Sequence, residues 1–213
     1  MQNYFKDTYQ FQIGIDEAGR GPLFGRVYAA AVLLPNHEST TFAYDKMKDS
    51  KKFTSAKKML EVAKHIKEHA LFYHIAWRDE AHIDKYNILE ATKQCMHEAA
   101  MECLGHTDAK ETIVLVDGTH FDPIVIPYGS KFVKVSHKTI PKGDNTYASI
   151  AAASILAKCA RDQYVEEMCN EHHELNERYN IQKNKGYGTK QHMDGLKKYG
   201  PSQWHRMTFG PCS

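Results

Sequence analysis

The sequence predicts an α/β protein: a mixed sheet flanked by helices, followed by a small helical C-terminal region. Three observations lead there. Apolar, β-branched runs of strand length alternate with helical patterns through most of the chain. One of those runs, Thr112 to Val116 (TIVLV), is continuous rather than alternating, as in a strand buried on both faces. The alanine-rich YASIAAASILAKCARDQYVEEMC, from Tyr147 to about Cys169, is a long helix whose first half is apolar enough to be buried. Beyond it the composition turns basic, aromatic and punctuated by glycine, so the chain divides into residues 1–170 and 171–213.

The first strand carries Ile13 and Ile15 and delivers Asp16 and Glu17 into a Gly-Arg-Gly turn (Gly19, Arg20, Gly21). A second apolar run, Val27 to Leu34, follows and ends at Pro35. After the lysine-dense KMKDSKKF (Lys46 to Phe53), Thr54 is placed to cap a helix reaching about Ala70, with Ala56, Met59, Leu60, Ala63 and Ile66 on one face. LFYHIAW (Leu71 to Trp77) is a strand. A helix from about Tyr86 to Leu104 stops at Gly105. The TIVLV strand ends at Asp117-Gly118, His120 to Ser130 is a loop, Lys131 to His137 another strand, and Pro141 to Asn145 a turn.

Composition narrows the function classes. With 42% hydrophobic residues over 213 positions, the chain buries a substantial core. Basic and acidic side chains number 28 and 26, so a nucleic-acid surface has to come from local clustering rather than net charge. Five cysteines without a C-x-x-C pair fit free thiols in a reducing, cytoplasmic setting. No stretch approaches about eighteen uninterrupted apolar residues, so no membrane span is expected, and the protein is expected to be a soluble monomer.

The acids carry the chemistry. Asp16-Glu17, Asp117 and Asp144 each lie near glycine at or near the exit of a strand or in a turn, where sites concentrate. Adjacent strand residues point to opposite faces, so Asp16 and Glu17 are expected to converge through a backbone turn at that point. Were all four acids to converge, like charges about 4 Å apart would repel by on the order of 4 kcal/mol per pair at an effective dielectric near 20. Such a cluster demands cations, and an all-oxygen donor set suits Mg²⁺ or Mn²⁺ better than zinc. Two such ions suit phosphodiester hydrolysis. Asp162, after Arg161 in a helix, competes with Asp144 for the fourth place, with Lys158 and Arg161 as local partners favouring a structural role. The grouping of Cys169, His172 and His173 lacks the second pair a zinc site needs. His97, His192 and His205 read as surface or core histidines, and neither G-x-G-x-x-G nor G-x-x-x-x-G-K-[ST] is present.

Six segments occur in an order that closely resembles the ribonuclease HII family. They are GIDEAGRGPLFG, DSKK (Asp49 to Lys52), IDKYNILEAT (Ile83 to Thr92), VLVDG (Val114 to Gly118), KGDNTYASIAAASILAKCARD, and NKGYGT with YGPSQWHRMTF. The resemblance covers about Ile13 to Phe209. It implies an RNase H-like fold and cleavage, with Mg²⁺ or Mn²⁺, on the 5′ side of ribonucleotides embedded in duplex DNA or within the RNA strand of RNA/DNA hybrids. The products would be 3′-hydroxyl and 5′-phosphate ends. It further implies that Asp16, Glu17, Asp117 and Asp144 are the catalytic, metal-holding acids. Gly19, Arg20 and Gly21 would recognise the 2′-hydroxyl, and Tyr187 would stack on the next sugar. With the resemblance in hand, Lys51 and Lys52, in the patch with Lys46 and Lys48, and the second patch of Lys183, Lys185 and Lys190 become duplex-backbone contacts. A catalytically silent duplex-binding module is the alternative of a different class. Arg26 and Gly188 stand where the family usually or often has proline, and the span between Asp117 and Asp144 is longer than in compact members.

Overall fold

The computed structural model describes residues 1–5, 8–35, 42–48, 50 and 53–213. Asp49, Lys51 and Lys52, singled out above, lie outside the described residues. The central strand β1 (Phe11–Ala18) pairs antiparallel with β2 (Val27–Leu33), Ile13 opposite Leu33 and Asp16 opposite Ala30. On its other edge it pairs parallel with β4 (Thr112–Asp117), Phe11 opposite Thr112. Strand β3 (Phe72–Arg78) extends the sheet antiparallel beyond β2, and β7 (Ser136–Ile140) extends it parallel beyond β4, giving the order β3-β2-β1-β4-β7. The sheet is therefore mixed, as the alternation of elements predicted.

Side-chain alternation assigns the two faces. Ile13 and Ile15 point to helix α3 (Ile88–Leu104), packing with Ala91, Cys95 and Ala99. Ala30 and Val32 point to the opposite side, where α1 (Ala56–His69) and the long α4 (Ala148–Glu171) cover the sheet. Gly14 shares that side, and α4 crosses directly over it: a Cβ built at Gly14 would lie 2.1 Å from the Ser149 carbonyl carbon. The alanine-rich first half of α4 is what permits this approach, because small side chains leave the helix backbone close to the sheet. One consequence is that Ser154, Lys158 and Arg161, spaced four and three residues apart along one helix face, stand beside the end of β1.

Helices α5 (His173–Tyr179) and α6 (Ile181–Asn184) pack on α4, and α7 (Lys190–Tyr199) packs on α5, with Leu175, Tyr179, Ile181 and Leu196 in one buried cluster. Leu23 and Phe24, from the loop after β1, are buried in the same cluster. All five cysteines are buried and unbonded. Among the described residues, no helix is long and apolar enough to cross a membrane.

Four local expectations change. Strand β1 runs through Asp16 and Glu17 to Ala18, and the turn starts at Gly19, whose φ is +95°. The helix expected from Tyr86 is two: α2 (Glu80–Tyr86) and α3, broken at Asn87. Asn87 has φ 68°, and its side chain accepts from the amides of Leu89 and Glu90 at 2.9 and 3.1 Å, a strong cap that restarts the helix. The expected strand Lys131 to His137 splits at buried Val135: β6 (Lys131–Lys134) forms a separate hairpin with β5 (Val125–Tyr128), a strand inside the expected loop, and the chain then enters β7. Ser55, rather than Thr54, occupies the first cap position of α1.

Gly14→Ala should destabilise the fold by about 3 kcal/mol or more, since the added methyl meets rigid helix backbone instead of a movable side chain. The midpoint of urea unfolding measures this; a midpoint equal to wild type would show that α4 does not sit where described.

Candidate active site

A cavity of about 260 Å³ opens where β1 and β4 end, floored by Asp16, Glu17 and Asp117 and walled by Gly19 to Gly21, Ser154, Lys158, Arg161 and Tyr187. Asp16 leaves β1 on the α4 side and Glu17 on the α3 side. Both reach the cavity because the strand ends there, so no turn between them is needed. Glu17 and Asp117 also line a smaller recess of about 80 Å³ together with Thr92 and Met96 of α3. The parallel pairing of β1 with β4 brings the acids of two strands side by side.

Electrostatically the acids are in tension. Burial, then the neighbouring charges of Glu17 and Asp117, hold the Asp16 carboxyl well above the usual carboxylate range. Burial also raises Glu17, opposed by Arg20, whose Nη1 lies 3.3 Å from Glu17 Oε1. Asp16 Oδ1 accepts from the Glu17 amide at 2.7 Å, and Asp117 Oδ1 accepts from the Gly143 amide at 2.6 Å. That second bond ties the short 3₁₀ turn Gly143–Asn145 to Asp117. Asp144 itself is buried, next in sequence to the Gly143 that bonds Asp117, and accepts from Asn145 Nδ2 at 3.1 Å. The structure thus gathers Asp16, Glu17 and Asp117, and sets Asp144 one residue behind them. Asp162 lies elsewhere: Lys158 Nζ is 2.6 Å from it, and it faces a different recess, beside Met59 and Leu60 of α1.

The donor set fits a hard divalent cation. The three gathered groups are carboxylates, and a cation would offset the charges of Glu17 and Asp117 that help raise Asp16. Among the described residues, no three His, Cys, Asp or Glu side chains enclose a metal ion unaided.

The Gly-Arg-Gly loop is held by a residue to which the sequence alone assigned no role. Arg206 is fully buried and gives each of its five N–H donors to a backbone carbonyl. Nε bonds Gly25 O at 2.9 Å, Nη1 bonds Arg20 O at 3.0 Å and Pro22 O at 2.7 Å, and Nη2 bonds Gly19 O at 2.6 Å and Arg26 O at 3.2 Å. Burial and nearby Arg161 lower its pKa to about 9, which leaves it charged at neutral pH. In trans peptides the N–H opposes the C=O, so the amides of Arg20 and Gly21 turn away from Arg206. Gly19 is required on two counts: its φ of +95° and a would-be Cβ 2.4 Å from Arg161 Nε. Gly21 faces Tyr187 across the cavity with room for ordinary contact, 3.5 Å from a would-be Cβ to the ring.

Of the other residues singled out, Tyr187 is half-exposed at the cavity, Lys183 and Lys190 are exposed, and Lys185 is half-buried with its carbonyl accepting from Arg161 at 2.7 Å. Arg161, 1% exposed, has Nε and Nη1 without a hydrogen-bond partner. Arg26 lies over two rings, its guanidinium carbon 3.7 Å from the Trp77 centroid and 4.6 Å from that of Tyr164, a contact proline could not make. His192 and His205, expected at the surface or in the core, are in the core.

Two outcomes follow from this geometry. In chelator, a carboxyl whose folded pKa lies above its unfolded one makes the folded state bind more protons between those values, so stability falls as pH rises through that window. Asp16→Asn should accordingly melt higher than wild type in chelator, and the gap should widen as pH rises above the ordinary carboxylate range, a difference in which the oppositely shifted His192 and His205 cancel. Arg206→Lys, offering at most three donors to five carbonyls, should cost about 3 kcal/mol or more in denaturant unfolding.

Comparison with known proteins matches this chain, over residues 13–212, to the family described as Ribonuclease HII. A Ribonuclease HII of Caldanaerobacter subterraneus subsp. tengcongensis is 42% identical over 215 residues, covering 98% of this chain and 79% of that protein. One from Caldicellulosiruptor bescii is 38% identical, covering 98% and 94%. Among solved structures, the ribonuclease H2 from Pyrococcus horikoshii OT3 superposes with a TM-score of 0.73 at 21% identity, covering 95% of each chain. Bst-RNase HIII in complex with Mn²⁺ gives 0.64 at 17% identity, covering 90% of this chain and 71% of that one. The fold is RNase H-like, and with a family match across nearly its whole length the chain belongs to the ribonuclease HII family and is a ribonuclease H.

Proposed function

We propose that this protein is an endonuclease that cuts on the 5′ side of ribonucleotides embedded in duplex DNA, and within the RNA strand of RNA/DNA hybrids, leaving 3′-hydroxyl and 5′-phosphate ends. One observation carries the reading: a backbone-lined loop fixed by Arg206 shares a single cavity with the buried carboxylates. A group that recognises ribose has to tell a 2′-hydroxyl from hydrogen, and close backbone approach does so where a side chain would intrude.

Asp16, Glu17 and Asp117, with Asp144 behind them, would hold Mg²⁺ or Mn²⁺. Such ions, when bound, supply an activated water and offset charge on the leaving oxygen. The chain's own residues do the rest. The amides of Arg20 and Gly21 point away from Arg206 and donate to the 2′-oxygen. Tyr187, half-exposed opposite Gly21, offers a flat face to the adjoining sugar. Lys158 and Arg161, with Arg20, add positive charge along the cavity wall to offset the acids a phosphate would meet there. Exposed Lys183 and Lys190 extend the cationic surface that a duplex backbone needs, and Lys51 and Lys52 are proposed as further backbone contacts on their sequence alone. Residues 171–213 serve as the substrate-binding region beside a catalytic unit of residues 1–170, and the protein works as a cytoplasmic monomer.

The test is cleavage of a duplex bearing one ribonucleotide, with an all-DNA duplex as control, in Mg²⁺ or Mn²⁺ and in chelator. Chelator should stop cleavage, and Asp117→Asn should lower the rate by more than about a hundredfold, the minimum if several kcal/mol of charge stabilisation is lost. A wild-type rate for Asp117→Asn would sink the assignment. Tight, salt-dependent binding without cleavage in either ion would establish the silent duplex-binding module instead.

A further inference from the structure

His192 and His205 make a buried contact that the proposed chemistry does not use. They are 0% and 1% exposed, and their Nε2 atoms lie 2.9 Å apart. The direction of this bond is fixed by groups outside it. The Ser202 amide, which can only donate, lies 2.9 Å from His205 Nδ1, so that nitrogen accepts and the His205 proton is on Nε2. His205 Nε2–H then donates to His192 Nε2, which puts the His192 proton on Nδ1. That nitrogen lies 3.0 Å from the carbonyl oxygen of Tyr187 and donates to it. The chain of donors therefore runs one way, from Ser202 to Tyr187. Burial lowers both imidazoles, His205 to about 4, so both are neutral near pH 7, as a one-proton-per-ring chain requires.

The same segment also grips the Gly-Arg-Gly loop. Phe24 pairs with His205 as an isolated bridge and packs edge-on against its ring, and Arg206 follows in sequence with its five carbonyls. On the other side, Leu23 donates to Gly186 O at 2.8 Å, one residue before Tyr187.

We propose that His192 and His205 are positioning residues: a tautomer-locked pair that sets the backbone of Tyr187 relative to the Gly19 to Gly21 loop, and so sets the gap in which a ribonucleotide is recognised. The proposal rests on Tyr187 contacting substrate. A pair that merely fills the core would not care which of its two links is cut. A positioning pair would, and the two amide side chains separate the links. Asparagine at 192 places a donor near the Nδ1 position and keeps the bond to Tyr187, while glutamine places its amide near the Nε2 position and keeps only the bond to His205.

His192→Gln should raise KM for the one-ribonucleotide duplex roughly tenfold, the worth of one hydrogen bond, with little change in kcat. His192→Asn should stay within about twofold of wild type, with both variants melting at similar temperatures. On a Tyr187→Ala background the two should have the same KM. Where a variant does not fold, nitrogen-15 NMR of the wild-type protein decides. In chelator, the His192 Nδ1 proton should be visible and should shift on adding the one-ribonucleotide duplex but not the all-DNA duplex. If wild type discriminates the two duplexes and the variants agree in KM, or the proton does not shift, the positioning role is overturned while the functional reading stands. If wild type does not discriminate, both fall.

Discussion

A buried guanidinium that forms no salt bridge among the described residues is expensive unless every donor is used, and Arg206 uses all five. The carbonyls it takes belong to residues 19, 20, 22, 25 and 26, so a segment that would otherwise be a loose, glycine-rich connection between β1 and β2 becomes as fixed as the sheet. Two properties of the site descend from this. The loop's carbonyls are occupied inward, which leaves amides for the cavity. And the loop cannot relax to let the acids of β1 drift apart, because its first residue is bonded to the same guanidinium as its last.

The acids show the opposite economy. Asp16 is buried beside two other carboxylates, an arrangement that favours the uncharged form and works against the folded state in the absence of cations. The scaffold tolerates it because the strain sits where the sheet is best supported: β1 is paired on both edges and covered on both faces. Alternation of side chains sends Asp16 and Glu17 to opposite faces, and only the end of a strand lets both sides of the sheet contribute to one cavity. Adjacent acids at a strand exit are thus a way of drawing on both layers of the fold at once.

Much of this was legible in the sequence where the cause is local. The buried run ending at Asp117 and the alanine-rich α4 announce themselves by composition, and the Asp16-Glu17-Ala-Gly-Arg-Gly order marks a strand-end loop. What escaped were effects whose partners are remote. Arg206 in its segment looks like any exposed arginine, since the carbonyls that explain it lie 180 to 187 residues away. His192 and His205 are thirteen residues apart and could not be paired before the fold brought them together. The break at Asn87 is a different failure: an asparagine inside a helical pattern is ordinarily a weak interruption, and only its left-handed backbone shows that it closes one helix and caps the next. The split at Val135 was masked by continuous strand propensity, because both β6 and β7 suit extended backbone and differ only in which neighbour they pair with.

The separation between Arg206 and its loop also imposes an order on events during synthesis. Strands β1 and β2 are made before β4, and the connection between them is made at least 180 residues before the guanidinium that binds its carbonyls. The connection between β1 and β2 accordingly takes its folded form in one later step, as the segment from Ser202 to Arg206 closes over it.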